Sequence, residues 1–391
     1  MSSPGPNSHA VVTRRGADRW VRGHPWIYAS DVSSAPDAPG LTRVEDPRGK
    51  FIGQALCSPR SEIRLRLLER SDRQVDTAWW IERLGRALAR RGSIDATAYR
   101  VVHGEGDGLP SLVVDRYDRW VVAQLLSAGL ETMRGAIVEA LVRVLAPAGV
   151  LLRNDVAVRR HEGLAERVEL VHGSVPEEIE VREGGVRYIA VPWSGQKTGA
   201  FLDQRPNRFR AGELARPGGN ALDCFAYHGS FALHLARRSA AVVALDSSAE
   251  ALQRGARNAA LNGLDNIRWD QGDAFEALRA MARAKIRFDT IVVDPPAFAK
   301  SKSAVAQALT GYREINLRAM RLLAPGGTLL SASCSFHVHR PEFLEMIAEA
   351  ARDSGRVLTL VDQLGPGLDH PEIVTIPETG YLKGVVLSAE G

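Results

Sequence analysis

The chain has 391 residues and 45% hydrophobic content, which points to two or three folded domains. No apolar run approaches the ~20 residues of a membrane span. The start, MSSPGPNSHAVVTRRG, lacks the apolar core of a secretion signal, so a cytoplasmic enzyme is expected. The net charge is +4, and the excess sits in residues 1–73, with 12 Lys and Arg against 8 Asp and Glu; the remainder carries 38 of each. That asymmetry reads as a polyanion-binding module or as a solvated basic face. Three widely spaced cysteines, Cys57, Cys224 and Cys334, argue against a disulfide framework or a metal cluster.

Residues 1–8 read as disordered. From Ala10 to Leu68 short β-like runs alternate with turns, which predicts a small β-barrel over 1–73. Its last run, Ile63–Leu68, alternates basic and apolar side chains and places Arg64 and Arg66 on one face. The segment Arg22-Gly23-His24-Pro25-Trp26-Ile27-Tyr28 resembles the entry of PUA domains, small barrels that bind structured RNA. That resemblance makes Arg22, His24, Trp26, Arg64 and Arg66 candidate RNA contacts.

A helix over 76–91, strands at 99–103, 112–115 and 120–126, and a second helix over 131–145 predict a small α+β domain spanning 74–190. Glu105 and Asp107 lie in a Gly-rich loop that reads as a tight turn rather than a ligand set.

The segment Ala221–Asp246 organises the remainder. An apolar strand ends at Asp223, a turn contains Gly229 and Ser230, a helix follows, and a second strand ends at Asp246. This is the opening of a doubly wound α/β sheet, and the terminal acid suits a ribose diol. Neither G-x-G-x-x-G nor a P-loop occurs, so a nucleoside cofactor without phosphates fits best. Ser247 and Glu250 suggest a capping box for the next helix. Strands then end at Gly272-Asp273-Ala274, at Asp294-Pro295-Pro296-Ala297-Phe298 and at Ser333-Cys334-Ser335, followed by two closing strands. Asp294 and Cys334 should therefore emerge side by side at the ligand-binding edge. A thiolate adding to carbon 6 of a pyrimidine would make carbon 5 nucleophilic, and Cys334 is the candidate for that step. His337, His339 or Arg340 are sequence neighbours that could lower its pKa.

The pattern from Asp223 to Asp246 resembles the first two motifs of class I S-adenosylmethionine-dependent methyltransferases. The order of motifs from 195 to 388, with the N-terminal segment and the closing Asp369-His370-Pro371 and Pro377–Lys383, resembles PUA-containing 23S ribosomal RNA cytosine-5 methyltransferases. The resemblance spans nearly the whole chain. It implies a seven-stranded, mostly parallel methyltransferase sheet over 191–391 and S-adenosyl-L-methionine as cofactor. It also implies Cys334 as nucleophile, Asp294 against the cytosine, and no metal. Asp223, Phe225, Tyr227, Gly229, Ser230, Asp246, Ser247, Asp273, Ala274 and Asp294 would line the cofactor site, walled by Phe201 and Gln204 from Lys197–Arg208. Arg205, Phe298, Lys300 and Lys302 would face RNA. The partner would be 23S ribosomal RNA, free or in an assembling large subunit, with no membrane, and a homodimer stays open.

Two features depart from or compete with that pattern. Ala297 stands where two-cysteine enzymes place a second thiol, and Asp294-Pro295-Pro296-Ala297-Phe298 also resembles the box of enzymes that methylate base nitrogens. Guanine or adenine nitrogen methylation is therefore an alternative. A non-catalytic RNA-binding or ribosome-assembly factor, and a small-molecule methyltransferase, are others.

Overall fold

The computed structural model describes residues 9–299 and 301–390. Two units account for them. The first comprises the chain up to Val181 with Ala190–Leu202 and Leu368–Thr379; the second comprises Arg182–Ile189, Asp203–Gly367 and the chain from Gly380. The N-terminal eight residues, expected to be disordered, lie outside the described residues. Among the described residues, no helix is long and apolar enough to cross a membrane.

The first unit opens with β1 (His9–Val12), α1 (Arg14–Val21), β2 (Trp26–Tyr28), β3 (Val32–Ser34), β4 (Gly40–Glu45), β5 (Phe51–Cys57) and β6 (Ile63–Glu69). The strands form one sheet in the order β2-β6-β5-β4-β1-β3. Helix α1 interrupts the β-like run expected there. Thr13 caps it by accepting from Gly16 N, and Trp20 and Gly16 turn inward. An eight-residue helix with so few buried positions carries little periodic signal. Ala10, Val12, Trp20, Ile27, Val44, Ala55, Cys57 and Leu65 form the core of this sheet.

There follow α2 (Thr77–Ala89), β7 (Ala98–His103), β8 (Leu112–Tyr117), β9 (Trp120–Leu125), α3 (Ala128–Glu131), α4 (Arg134–Leu145), β10 (Gly149–Asn154), α5 (Val158–His161) and β11 (Arg167–Gly173). Asp76 caps α2 by accepting from Trp79 N at 2.9 Å. The single helix expected over 131–145 is two, α3 and α4. The sheet runs β11-β10-β9-β8-β7. Leu56 and Leu68, from strands of the first sheet, share a core with Trp79, Trp80 and Ile137.

Strands β12 (Ile179–Glu183) and β13 (Val186–Ala190) pair with each other. The second unit continues with α6 (Arg205–Leu214), β14 (Asn220–Cys224), α7 (Ser230–Ala236), β15 (Ala241–Asp246), α8 (Ala249–Leu261), β16 (Ile267–Gln271), α9 (Ala274–Arg283) and β17 (Phe288–Val293). After these come α10 (Val305–Leu322), β18 (Leu323–Ser333), α11 (Arg340–Ser354), β19 (Leu358–Leu364) and β20 (Lys383–Ala389). Their sheet has seven strands in the order β16-β15-β14-β17-β18-β20-β19. All pairings from β16 to β18 are parallel, and β20 is antiparallel to both neighbours. The winding reverses between β14 and β17. The crevice at the carboxyl ends of those strands is where such sheets bind ligands. Helix α8 is capped by Ser248, which accepts from Ala251 N at 3.2 Å, and not by the expected Ser247.

Candidate active site

Three aspartates end neighbouring strands of the second unit. Asp223 lies in β14 and is fully buried. Its Oδ2 accepts from Ala232 N in the first turn of α7 at 2.8 Å, and its Oδ1 is buried with no hydrogen-bond partner. Burial pushes this carboxyl well above the usual carboxylate range, and the nearby charges of Asp294 and Asp246 push it further. Asp246 ends β15; its Oδ2 accepts from Tyr227 N at 2.8 Å and its Oδ1 from Ser248 N at 2.9 Å. Asp294 follows β17, and its Oδ1 accepts from Gln204 Nε2 at 2.8 Å.

The turn between β14 and α7 is conformationally unusual. Phe225 has φ +66°, Tyr227 +50° and Gly229 +78°. Phe225 N and Ala226 N both donate to Leu245 O, so the turn is lashed to the second strand. A Cβ on Gly229 would lie 2.3 Å from the Trp269 ring, so β16 fixes a glycine here from across the sheet. Arg254 of α8 lies over the Tyr227 ring at 5.7 Å. Ser230 opens α7, Ser247 is exposed beside Asp246, and Asp273 is exposed and caps α9 by accepting from Glu276 N at 3.0 Å, just ahead of buried Ala274. Phe201 lies in the first unit, where the Lys197 ammonium sits 4.7 Å from its ring centre.

The loops after β17 and β18 are tied together. Val293 pairs with Ser331, so Asp294 and Cys334 leave adjacent parallel strands at the same edge. Ser335 Oγ accepts from Ala299 N at 3.1 Å and lies 2.8 Å from Tyr312 Oη, which in turn accepts from Phe298 N at 3.3 Å. Phe298 stacks at a tilt on Tyr312, with ring centres 4.6 Å apart. Cys334 is half-buried, unlike Cys57 and Cys224, which are buried. His339 sits in the cap of α11 and the His337 ring abuts Phe336.

Three residues of this region were not among the sequence candidates. Asn207 donates its side-chain amide to Gln204 Oε1 and so orients the partner of Asp294. Tyr312 and Lys383 flank the Cys334 turn. The signal for Asn207 was its i+3 spacing from Gln204 in a polar segment; Tyr312 lies on an ordinary amphipathic helix and offered none.

The proposed RNA contacts divide. Arg66 is 6% exposed and donates to Glu162 Oε1 at 2.8 Å, and Arg205 is 5% exposed, so neither lies on the open surface. Arg64 is half-buried and donates to the carbonyls of Pro59 and Pro36. The loop carrying His24 and Trp26 is also engaged within its own unit. His24 lies 3.3 Å from Glu378, Trp26 donates its indole to Glu105 at 2.8 Å, and Thr375 donates to Gly23 O at 3.1 Å. The strap 368–379 thus covers that loop, an arrangement that spacing along the chain could not reveal. Arg22 and Lys302 are exposed, Phe298 is half-buried, and Lys300 lies outside the described residues. Asp107, in the Gly-rich loop, takes a two-pronged pair from Arg91 at 2.7 and 2.6 Å, a structural role.

A sheet that winds outward from β14 and carries a strained glycine turn and strand-end carboxylates defines a class I methyltransferase. The chain belongs to the S-adenosylmethionine-dependent methyltransferase family, whose model matches residues 99–386, and a PUA-like domain model matches residues 10–70. Its relatives include ribosomal RNA large subunit methyltransferase I of Tolumonas auensis, 39% identical over 94% of this chain and 96% of the relative. The protein of the same name from Vibrio cholerae is 37% identical over 96% of this chain and 98% of the relative. The crystal structure of SMU.776 complexed with SAH shares the fold, with TM-score 0.85 and 20% identity over 97% of this chain and 100% of that one.

The site fits the cofactor. The charges of Asp294 and Asp246 act unfavourably on Asp223, and a ligand carrying sulfonium and ammonium charges would relieve that repulsion. Asp246 would hold the ribose hydroxyls, Asp223 Oδ1 a donor it now lacks, and Asp273 and Ala274 the adenine end.

Proposed function

We propose that this protein methylates carbon 5 of a cytosine in 23S ribosomal RNA, in the cytoplasm, with Cys334 as the covalent nucleophile. The observation that carries the reading is the emergence of Asp294 and Cys334 from adjacent parallel strands, Val293 opposite Ser331, with their following loops bonded through Ser335. The names of the curated relatives support ribosomal RNA of the large subunit as substrate.

Bound cofactor supplies an electrophilic methyl group. The chain's own residues do the rest. Phe298, held by Tyr312, offers a stacking face to a base drawn out of its helix. Asp294, oriented by Gln204, engages the polar edge of the cytosine. The Cys334 sulfur adds to carbon 6, which makes carbon 5 the nucleophile, and departs after a base takes the carbon 5 proton. Ala297 offers no second thiol for that departure, so a different group serves.

Replacing Cys334 by Ala tests the reading with purified protein, labelled S-adenosylmethionine and ribosomal RNA. Turnover should vanish while cofactor binding persists. Unchanged turnover would transfer the assignment to base-nitrogen methylation, which the Asp294-Pro295-Pro296 turn favours as the second reading.

A further inference from the structure

Lys383 is the first residue of β20 and pairs with Ser333, the residue before Cys334. Its side chain is buried, with the residue 1% exposed. Its Nζ donates to Ser335 O, the residue after Cys334, and to Tyr381 O at 3.0 Å. An ammonium has three donors, so these two carbonyls leave one N–H over. Among the described residues, no carboxylate lies within ion-pair distance of it, although a buried cation ordinarily requires an anion.

We propose that Lys383 is the positioning residue that holds the Cys334 sulfur as a thiolate. The inference rests on the reading of Cys334 as nucleophile. Starting from the neutral amine, whose two N–H groups go to the carbonyls of Ser335 and Tyr381, the S–H proton passes to the Nζ lone pair; this leaves a thiolate and an ammonium whose third N–H is the one left over, and no further reagent is consumed. When sulfur later leaves carbon 6 it departs as the same thiolate. Burial draws the Lys383 amine down to about 8, against the raising influence of Cys334. The other ionisable groups around the pair are Tyr312 on α10, Arg340 and Glu342 at the start of α11, Tyr381 ahead of β20, Asp294 after β17, and His337 and His339 on the intervening turn. Arg340 and Glu342 act on Lys383 with opposite signs.

The test is iodoacetamide alkylation of the full-length protein between pH 5.5 and 9.5, followed peptide by peptide by mass spectrometry, for wild type, Lys383→Met and Lys383→Arg. The Lys383→Met profile should move up by about one pH unit and its rate at pH 7 should fall ~10-fold, while Lys383→Arg stays within about threefold of wild type. A Lys383→Met profile that overlays wild type would overturn the proposal. Far-UV circular dichroism and a cofactor-induced melting shift establish folding; if Lys383→Met fails them, Lys383→Gln is read by the same criterion. Alkylation needs neither RNA nor turnover. An active Cys334→Ala enzyme would therefore refute the nucleophile, whereas an unmoved profile would refute Lys383 alone.

Discussion

Gln204 donates to Asp294 at 2.8 Å and is itself held by Asn207, so a residue ahead of α6 aims the carboxylate that follows β17. A hydrogen bond to a charged acceptor contributes ~1.5–3 kcal/mol. Gln204→Ala should therefore lower kcat by about 10- to 100-fold in a methyl-transfer assay, and Asn207→Ala should move it the same way by less. Equal kcat in all three proteins would show that Asp294 needs no orientation.

Gly229 combines φ +78° with the Trp269 ring where a Cβ would stand. Gly229→Ala should cost ~2–4 kcal/mol, from the left-handed backbone and the overlap together. Thermal melting should show the loss, and Trp269→Leu should recover the steric share but not the backbone share.

Arg66 pairs with Glu162, whose carboxyl also accepts from Ala128 N, and both side chains are buried. Removing one member leaves an uncompensated charge, so Arg66→Ala should destabilise the protein by ~3–5 kcal/mol. Arg66→Met with Glu162→Gln should restore most of it. RNA affinity of the folded double variant should match wild type in a filter-binding assay.

Acid should weaken the second unit through His228 and Glu183. Burial, then Arg208 and Arg254, bring His228 down to about 3 from 6.5; against burial, Arg208 holds the Glu183 carboxyl down at about 2 from 4.5. The unfolded chain takes up a proton at His228 below pH 6.5 that the folded chain refuses until about 3, so stability falls across that window. Glu183 adds a loss from 4.5 to 2. Each group contributes a slope of up to ~1.4 kcal/mol per pH unit. His228→Phe, which keeps a ring against Tyr188, should flatten the melting curve between pH 6.5 and 4.5.

Much of this was written locally. The strand ending at Asp223, the acid ending β15, the Asp294 turn and the Cys334 turn all follow from apolar runs stopped by Gly, Pro or a carboxylate. Helix α1 was missed because eight residues with two buried ones give no period. The cap moved from Ser247 to Ser248 because either serine satisfies the same spacing, and only backbone geometry chooses.

By itself the sequence determined the succession of strands from β14 to β20, the cofactor class and the two edge residues, because these depend on hydrophobic period and on residues adjacent in the chain. Tertiary structure alone decided that Arg66 and Arg205 are buried, that the strap 368–379 covers the His24 loop, and that Lys383 reaches the Cys334 turn. Those outcomes join side chains dozens to hundreds of residues apart, and burial, which sets whether a charge meets solvent, a partner or a substrate, exists only after the chain has closed on itself.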